Sequence, residues 1–94
     1  MITFEQVVEK SKIHPTGRGL QTIFETQDHI ISIVGGRVGL YGDFVDSFEV
    51  AIINRENKEF VSGEYFPEYS DSMGQVMAYI TKEQMLEVVN RFVV

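Results

Sequence analysis

Leu20-Gln21-Thr22-Ile23-Phe24-Glu25-Thr26-Gln27-Asp28-His29-Ile30-Ile31-Ser32-Ile33-Val34 is the stretch that decides the fold. Leu20, Thr22 and Phe24 alternate with Gln21, Ile23 and Glu25, the period of two that a half-buried strand requires. Residues 29–34 are a β-branched run, and Thr26-Gln27-Asp28 between the two is of hairpin-loop length and chemistry. Working outward, Phe48, Val50 and Ile52 alternate with Glu49, Ala51 and Ile53, predicting a third strand. Residues 59–62, reaching toward Tyr65, and residues 75–80 read as further strands. Asn54-Arg55-Glu56-Asn57-Lys58 is a polar connection suited to a hairpin.

Helices flank the strands. Thr3-Phe4-Glu5-Gln6 and Thr81-Lys82-Glu83-Gln84 are both capping boxes: a threonine oxygen for an early helix N–H, and a glutamine three positions on that reaches back. Phe4, Val7 and Val8 follow at helical spacing in the first case, and Met85, Leu86, Val88, Val89 and Phe92 in the second. Pro15 disfavours helix at His14, so the first helix should end near Ser11 or Lys12. The fold class is therefore α+β: an antiparallel meander sheet of four to five strands with an N-terminal and a C-terminal helix packed on it. The sheet offers Phe24, Ile31 or Ile33, Val50, Ile52 and Ala78 to the helices, and Phe48 and Phe60 are expected in the core. Ninety-four residues make one domain, 1–94.

Charge is distributed unevenly. Residues 43–71 hold eight acids and two bases, whereas the remainder balances to zero, for a net charge of −6. Seven of the eleven aromatic residues fall between positions 41 and 69. An acidic, ring-bearing third of a small protein can attract a basic partner over a distance and hold it at contact. The candidate partner-binding residues are Asp43, Asp46, Glu64, Tyr65, Phe66, Glu68, Tyr69 and Asp71, with carboxylates for charge and rings as anchors. The same charge argues against direct binding of nucleic acid, which needs a basic face. The basic trio Lys10, Lys12 and Arg18 is read as cations near a helix C-terminus.

Catalytic and metal chemistry find no pattern. There is no cysteine, and His14 and His29 lack second ligands at metal-binding spacing, so they read as solvated or structural. The acid pairs Asp43/Asp46 and Glu64/Glu68 have no deep cleft in prospect, and no serine sits in G-x-S-x-G. The run Gly35-Gly36-Arg37-Val38-Gly39-Leu40-Tyr41-Gly42 is not a phosphate loop: the G-K-S/T ending is missing, and Asp43 follows. It reads as a wide loop. The alternative is a small-molecule site on an oligomer, such as one for a nucleotide signal, using Gly36, Arg37 and Tyr41. No cofactor motif, signal peptide or spanning apolar run is present, so no membrane association is expected and the expected location is the cytoplasm.

Thr22-Ile23-Phe24-Glu25, residues 29–35, Phe48-Glu49-Val50-Ala51-Ile52-Ile53-Asn54 and Ala78-Tyr79-Ile80-Thr81-Lys82-Glu83-Gln84-Met85-Leu86-Glu87 carry a resemblance to small accessory proteins encoded by tailed bacteriophages. The glycine-rich loop departs from the more regular loop of that group. The resemblance implies a non-enzymatic protein that works by stoichiometric binding: an inhibitor or adaptor of a host defence or nucleic-acid-handling protein, with anti-CRISPR activity as one form. A host protein with a basic surface is the expected partner, and self-association into a homo-oligomer is a further expectation.

Overall fold

The computed structural model describes residues 1–15, 17, 19–36 and 42–93. The element order is α1 (Phe4–Glu9), β1 (Lys12–Ile13), β2 (Leu20–Glu25), β3 (His29–Gly35), β4 (Ser47–Asn54), α2 (Ser62–Tyr65), β5 (Met77–Thr81) and α3 (Lys82–Phe92). The strands form one five-stranded antiparallel sheet in the order β1-β2-β3-β4-β5, a meander. The expected α+β class and the flanking helices are therefore present.

Both capping boxes close as the sequence requires. The Thr3 hydroxyl accepts from the Gln6 N–H while the Gln6 side chain accepts from the Thr3 N–H, and Thr81 with Gln84 repeats the arrangement. The core lies on one face of the sheet. Register places Thr22, Ile33 and Val50 in one row across the strands and Phe24, Ile31 and Ile52 in the next. Val7 of α1 and Met85, Val88 and Val89 of α3 are buried in the same cluster. Hence both helices cover the same face.

Among the described residues every buried side-chain polar atom has a hydrogen-bond partner. Thr22 is fully buried and donates its hydroxyl to the Val7 carbonyl at 2.7 Å, satisfying an orphan acceptor near the end of α1 and tying that helix to β2. Thr22→Val keeps the shape but leaves that carbonyl unpaired. Thermal or denaturant unfolding should show a loss of about 1–3 kcal/mol. At the other terminus, the Asn90 amide accepts from the Ile2 N–H and donates to the Ile2 and Leu86 carbonyls, fastening the first residues to α3.

Three expectations need correction. First, residues 59–62 are not a strand. Asn54 to Glu59 do make the expected tight connection, with the Asn54 N–H donating to Glu59 and the Lys58 N–H to Asn54. The returning chain then makes one bridge, Ile53 with Phe60, and one further bond, the Val61 N–H to Ile52. At the next position a side chain replaces the backbone: Ser62 accepts the Ile52 N–H at 2.9 Å and donates to the Gln75 carbonyl at 2.8 Å. With its ladder partner supplied by a hydroxyl, the chain coils into α2.

Second, Ala78 is only half-buried, and Met77 and Ile80 take the core positions on β5. Phe48 pairs with Ile80 and Val50 with Met77, so one extra residue is accommodated on β5. Tyr79, with φ of 54°, carries this bulge. Third, the fifth strand is β1, where the sequence suggested the end of a helix. α1 stops with Lys10 as its C-cap, and the chain runs directly alongside β2, pairing Lys12 with Gln21 and Ile13 with Leu20.

Candidate binding site

The connection from β4 to β5, residues 55–76, is where the acidic and aromatic character becomes a shape. Its chain crosses itself at Gly63 and Gly74: the Gly63 N–H donates to the Gly74 carbonyl at 2.9 Å. A Cβ on Gly63 would stand 2.8 Å from the Gly74 Cα, closer than packed atoms approach, so the crossing requires glycine there. Asp71 clamps the segment beyond the crossing by accepting the Gln75 N–H at 2.9 Å, while its own N–H donates to Val76. Between these fixed strands of chain lies a groove of about 410 Å³, lined by Phe60, Val61, Gly63, Glu64, Pro67, Ser70, Asp71, Ser72, Met73 and Gly74.

Two large apolar side chains stand open in that groove: Phe60 is 47% exposed and Met73 74%. Carboxylates rim it, with Glu64 and Asp71 in the lining and both exposed. Among the described residues the only salt bridge is the exposed Arg55–Glu25 contact at 3.5 Å, so no described base pairs with the acids of this connection. Residues 55–76 hold five acids and two bases, so the connection carries a net negative charge.

The sequence-derived residues separate into three groups. Glu64, Glu68 and Asp71 are exposed within this connection. Tyr65 and Tyr69 are half-buried and bonded internally. The Tyr65 hydroxyl lies 3.2 Å from His29 Nε2, and its ring meets His29 and Phe92 edge-on at 5.3 and 5.0 Å. His29 is thus a packing residue of an aromatic cluster. The Tyr69 hydroxyl donates to Glu87 at 2.8 Å, and that bond raises the tyrosine pKa above its usual range. Phe66 is a correction: it is 1% exposed and belongs to the core, with Tyr69 stacked on its ring at 5.7 Å and the Arg91 guanidinium 5.1 Å from its centre. Its ring is therefore inside the protein. Phe60, expected in the core, is the exposed one.

Asp43 and Asp46 form the third group, at the other end of β4. Val61 bonds to Ile52, five residues along from Ser47, which separates the two acidic regions by about 17 Å along the strand. Asp43 has a structural task of its own. Its carboxylate oxygen accepts the N–H groups of Val45, Asp46 and Ser47 at 2.8, 2.9 and 3.0 Å, closing the turn into β4. These bonds, Val45 first, bring its pKa from the ordinary 3.8 down to about 2.

A depressed carboxylate contributes stability above its unfolded pKa and loses it as pH falls toward the folded value. Stability should accordingly drop between pH 3.8 and about 2 in part through this group. Asp43→Asn retains an acceptor oxygen without the charge. In acid titrations followed by circular dichroism, it should show a shallower fall over that window than the wild type.

Of the alternative ligand residues, Gly36 is exposed and helps line a groove of about 440 Å³ with Ile13, Gly17, Gly19, Leu20 and Asp43. Arg37 and Tyr41 lie outside the described residues, as does Arg18 of the basic trio. Among the described residues no cluster of three or more histidine or acidic side chains is placed to hold a metal ion, and no helix is long and apolar enough to cross a membrane.

The sequence did not single out Phe60 and Met73 as exposed apolar side chains of one groove. Their signal was faint. Met73 lies in the polar turn Ser70-Asp71-Ser72-Met73-Gly74, where no periodic neighbour calls for an apolar side chain. No family model, curated protein or solved structure matches this chain.

Proposed function

We propose that this protein works as a stoichiometric binder, with the groove between β4 and β5 as its contact surface. The partner inserts an apolar side chain between Phe60 and Met73, and its lysines or arginines meet Glu64, Glu68 and Asp71. The observation that carries this reading is the pairing, in one groove, of two exposed apolar side chains with an acidic rim that no described base pairs with. Isolated exposed apolar residues are ordinary, but two in a concave site ringed by one sign of charge suit a complementary partner.

Basic surfaces of this kind belong above all to proteins that hold nucleic acid, where carboxylates can occupy the positions of phosphates. Together with the likeness to bacteriophage accessory proteins, this leads to an inhibitor or adaptor of a host defence or nucleic-acid-handling protein in the bacterial cytoplasm, including the anti-CRISPR type. The protein contributes binding and no catalytic step.

The test is capture from a bacterial lysate by the tagged protein beside its Phe60→Ser/Met73→Ser variant, washed at low and at high salt. A basic protein retained by the wild type at low salt, released at high salt and not held by the variant is the expected result. Equal recovery on both baits, or recovery indifferent to salt, would refute the groove as the contact surface.

A further inference from the structure

We propose that the outer edge of β2 pairs with the same edge of a second copy of this chain, joining two sheets across a two-fold axis. The edge is left open by the way β1 ends. The His14 N–H donates to Gly19 and Lys12 pairs with Gln21, so along β2 the odd-numbered residues turn their backbone groups outward. Thr26 donates to His29 on the opposite side, which places the even-numbered residues toward β3 in agreement. Continued in register, β1 would set Lys10 against Ile23. Lys10 instead gives its N–H to Gln6 within α1. Among the described residues, no strand lies beside Ile23 and Glu25, and their outward N–H and C=O groups have no ladder partner.

Space and charge both fit a second β2. A groove of about 510 Å³ follows this edge, lined by Lys10, Lys12, Gln21, Ile23 and Glu25. In an antiparallel pairing with the axis at Phe24, Ile23 of one copy faces Glu25 of the other, and the two residues exchange both backbone bonds in each of two equivalent pairs. The segment is thus complementary to itself. The incoming Glu25 carboxylate lies on the face that carries Gln21 and Lys12, about 7 Å along the lane from Lys12. It enters a groove in which Lys12 faces it, while the Lys10 ammonium lies on the other face, 5.7 Å from the Phe24 ring, and it exchanges its exposed Arg55 contact for this one. This surface involves none of the residues of the β4–β5 groove, so the two proposals stand or fall separately.

Sedimentation equilibrium from micromolar to millimolar protein tests the dimer, with amide exchange of Ile23 and Glu25 as a residue-level readout. The expected result is a reversible dimer in which those two amides slow as concentration rises. Ile23→Pro removes an outward N–H that β3 does not use, and Glu25→Lys sets a cation on the face that carries Lys12; each should raise the dimer dissociation constant at least tenfold. Lys12→Glu combined with Glu25→Lys should recover most of that loss, which keeps the test sound if the proline variant folds poorly. A monomer at all concentrations, or a dimer unchanged by Glu25→Lys with Ile23 and Glu25 amides still exchanging freely, would overturn the proposal.

Discussion

Phe66→Ala should cost about 3–5 kcal/mol of stability, the range for removing a fully buried aromatic ring. Phe66 is 1% exposed, and its ring carries Tyr69 on a stacking contact and the Arg91 guanidinium nearby. Truncation therefore removes apolar burial and leaves two neighbours without a surface to pack on. A domain of this size has roughly 5–15 kcal/mol in hand, so thermal unfolding should move down by tens of degrees, or the variant should be partly unfolded at room temperature. Phe60→Ala is the counterpart. Its ring is 47% exposed, and its loss should change stability far less while weakening partner binding. Unfolding and binding measured on both variants separate the core ring from the contact ring.

Reversing Glu64 and Glu68 to lysine should lower affinity for the partner by about a hundredfold or more at low salt, since like charges brought together at an interface cost several kcal/mol and each 1.4 kcal/mol is tenfold. Both side chains are exposed, and neither enters a salt bridge among the described residues. Unfolding should accordingly shift by no more than about 0.5 kcal/mol. The gap between variant and wild type should narrow as ionic strength rises, because the screening length shrinks from about 10 Å at 0.1 M to about 3 Å at 1 M salt. A loss of binding that persists unchanged at high salt would mean that the lysines obstruct the groove by shape alone.

Features set by local chemistry were readable in the sequence. A capping box states a helix start in four residues, and both helices begin where theirs do. Alternation in Leu20–Glu25 and from Phe48 to Ile52 pointed Phe24, Val50 and Ile52 toward the helices, and all three are buried; of Ile31 and Ile33, between which the sequence left the choice open, both are buried. What failed depended on long-range pairing. The bulge at Tyr79 shifts β5 by one residue and exchanges Ala78 for Met77 and Ile80. A two-residue strand such as β1 has no period to read.

The candidate site failed in part for the same reason. Whether residues 59–62 extend the sheet depends on one serine hydroxyl bonding Ile52, ten residues before it, and Gln75, thirteen residues after it. Once the chain coils there, Phe60 and Phe66 trade places, one to the surface and one to the core. Composition did locate the acidic region. It could not show that Asp43 and Asp46 sit at the far end of β4, nor that Asp43 spends its charge on a turn.

The most direct measurement of the central claim is amide and side-chain chemical-shift mapping of the labelled protein as its captured basic partner is added. The account predicts perturbations concentrated on Phe60, Glu64, Asp71 and Met73, with the β3–β4 turn at Asp43 and Asp46 unchanged. Perturbations centred on that turn or on the surface around Ile13 and Leu20, with the β4–β5 groove silent, would contradict it.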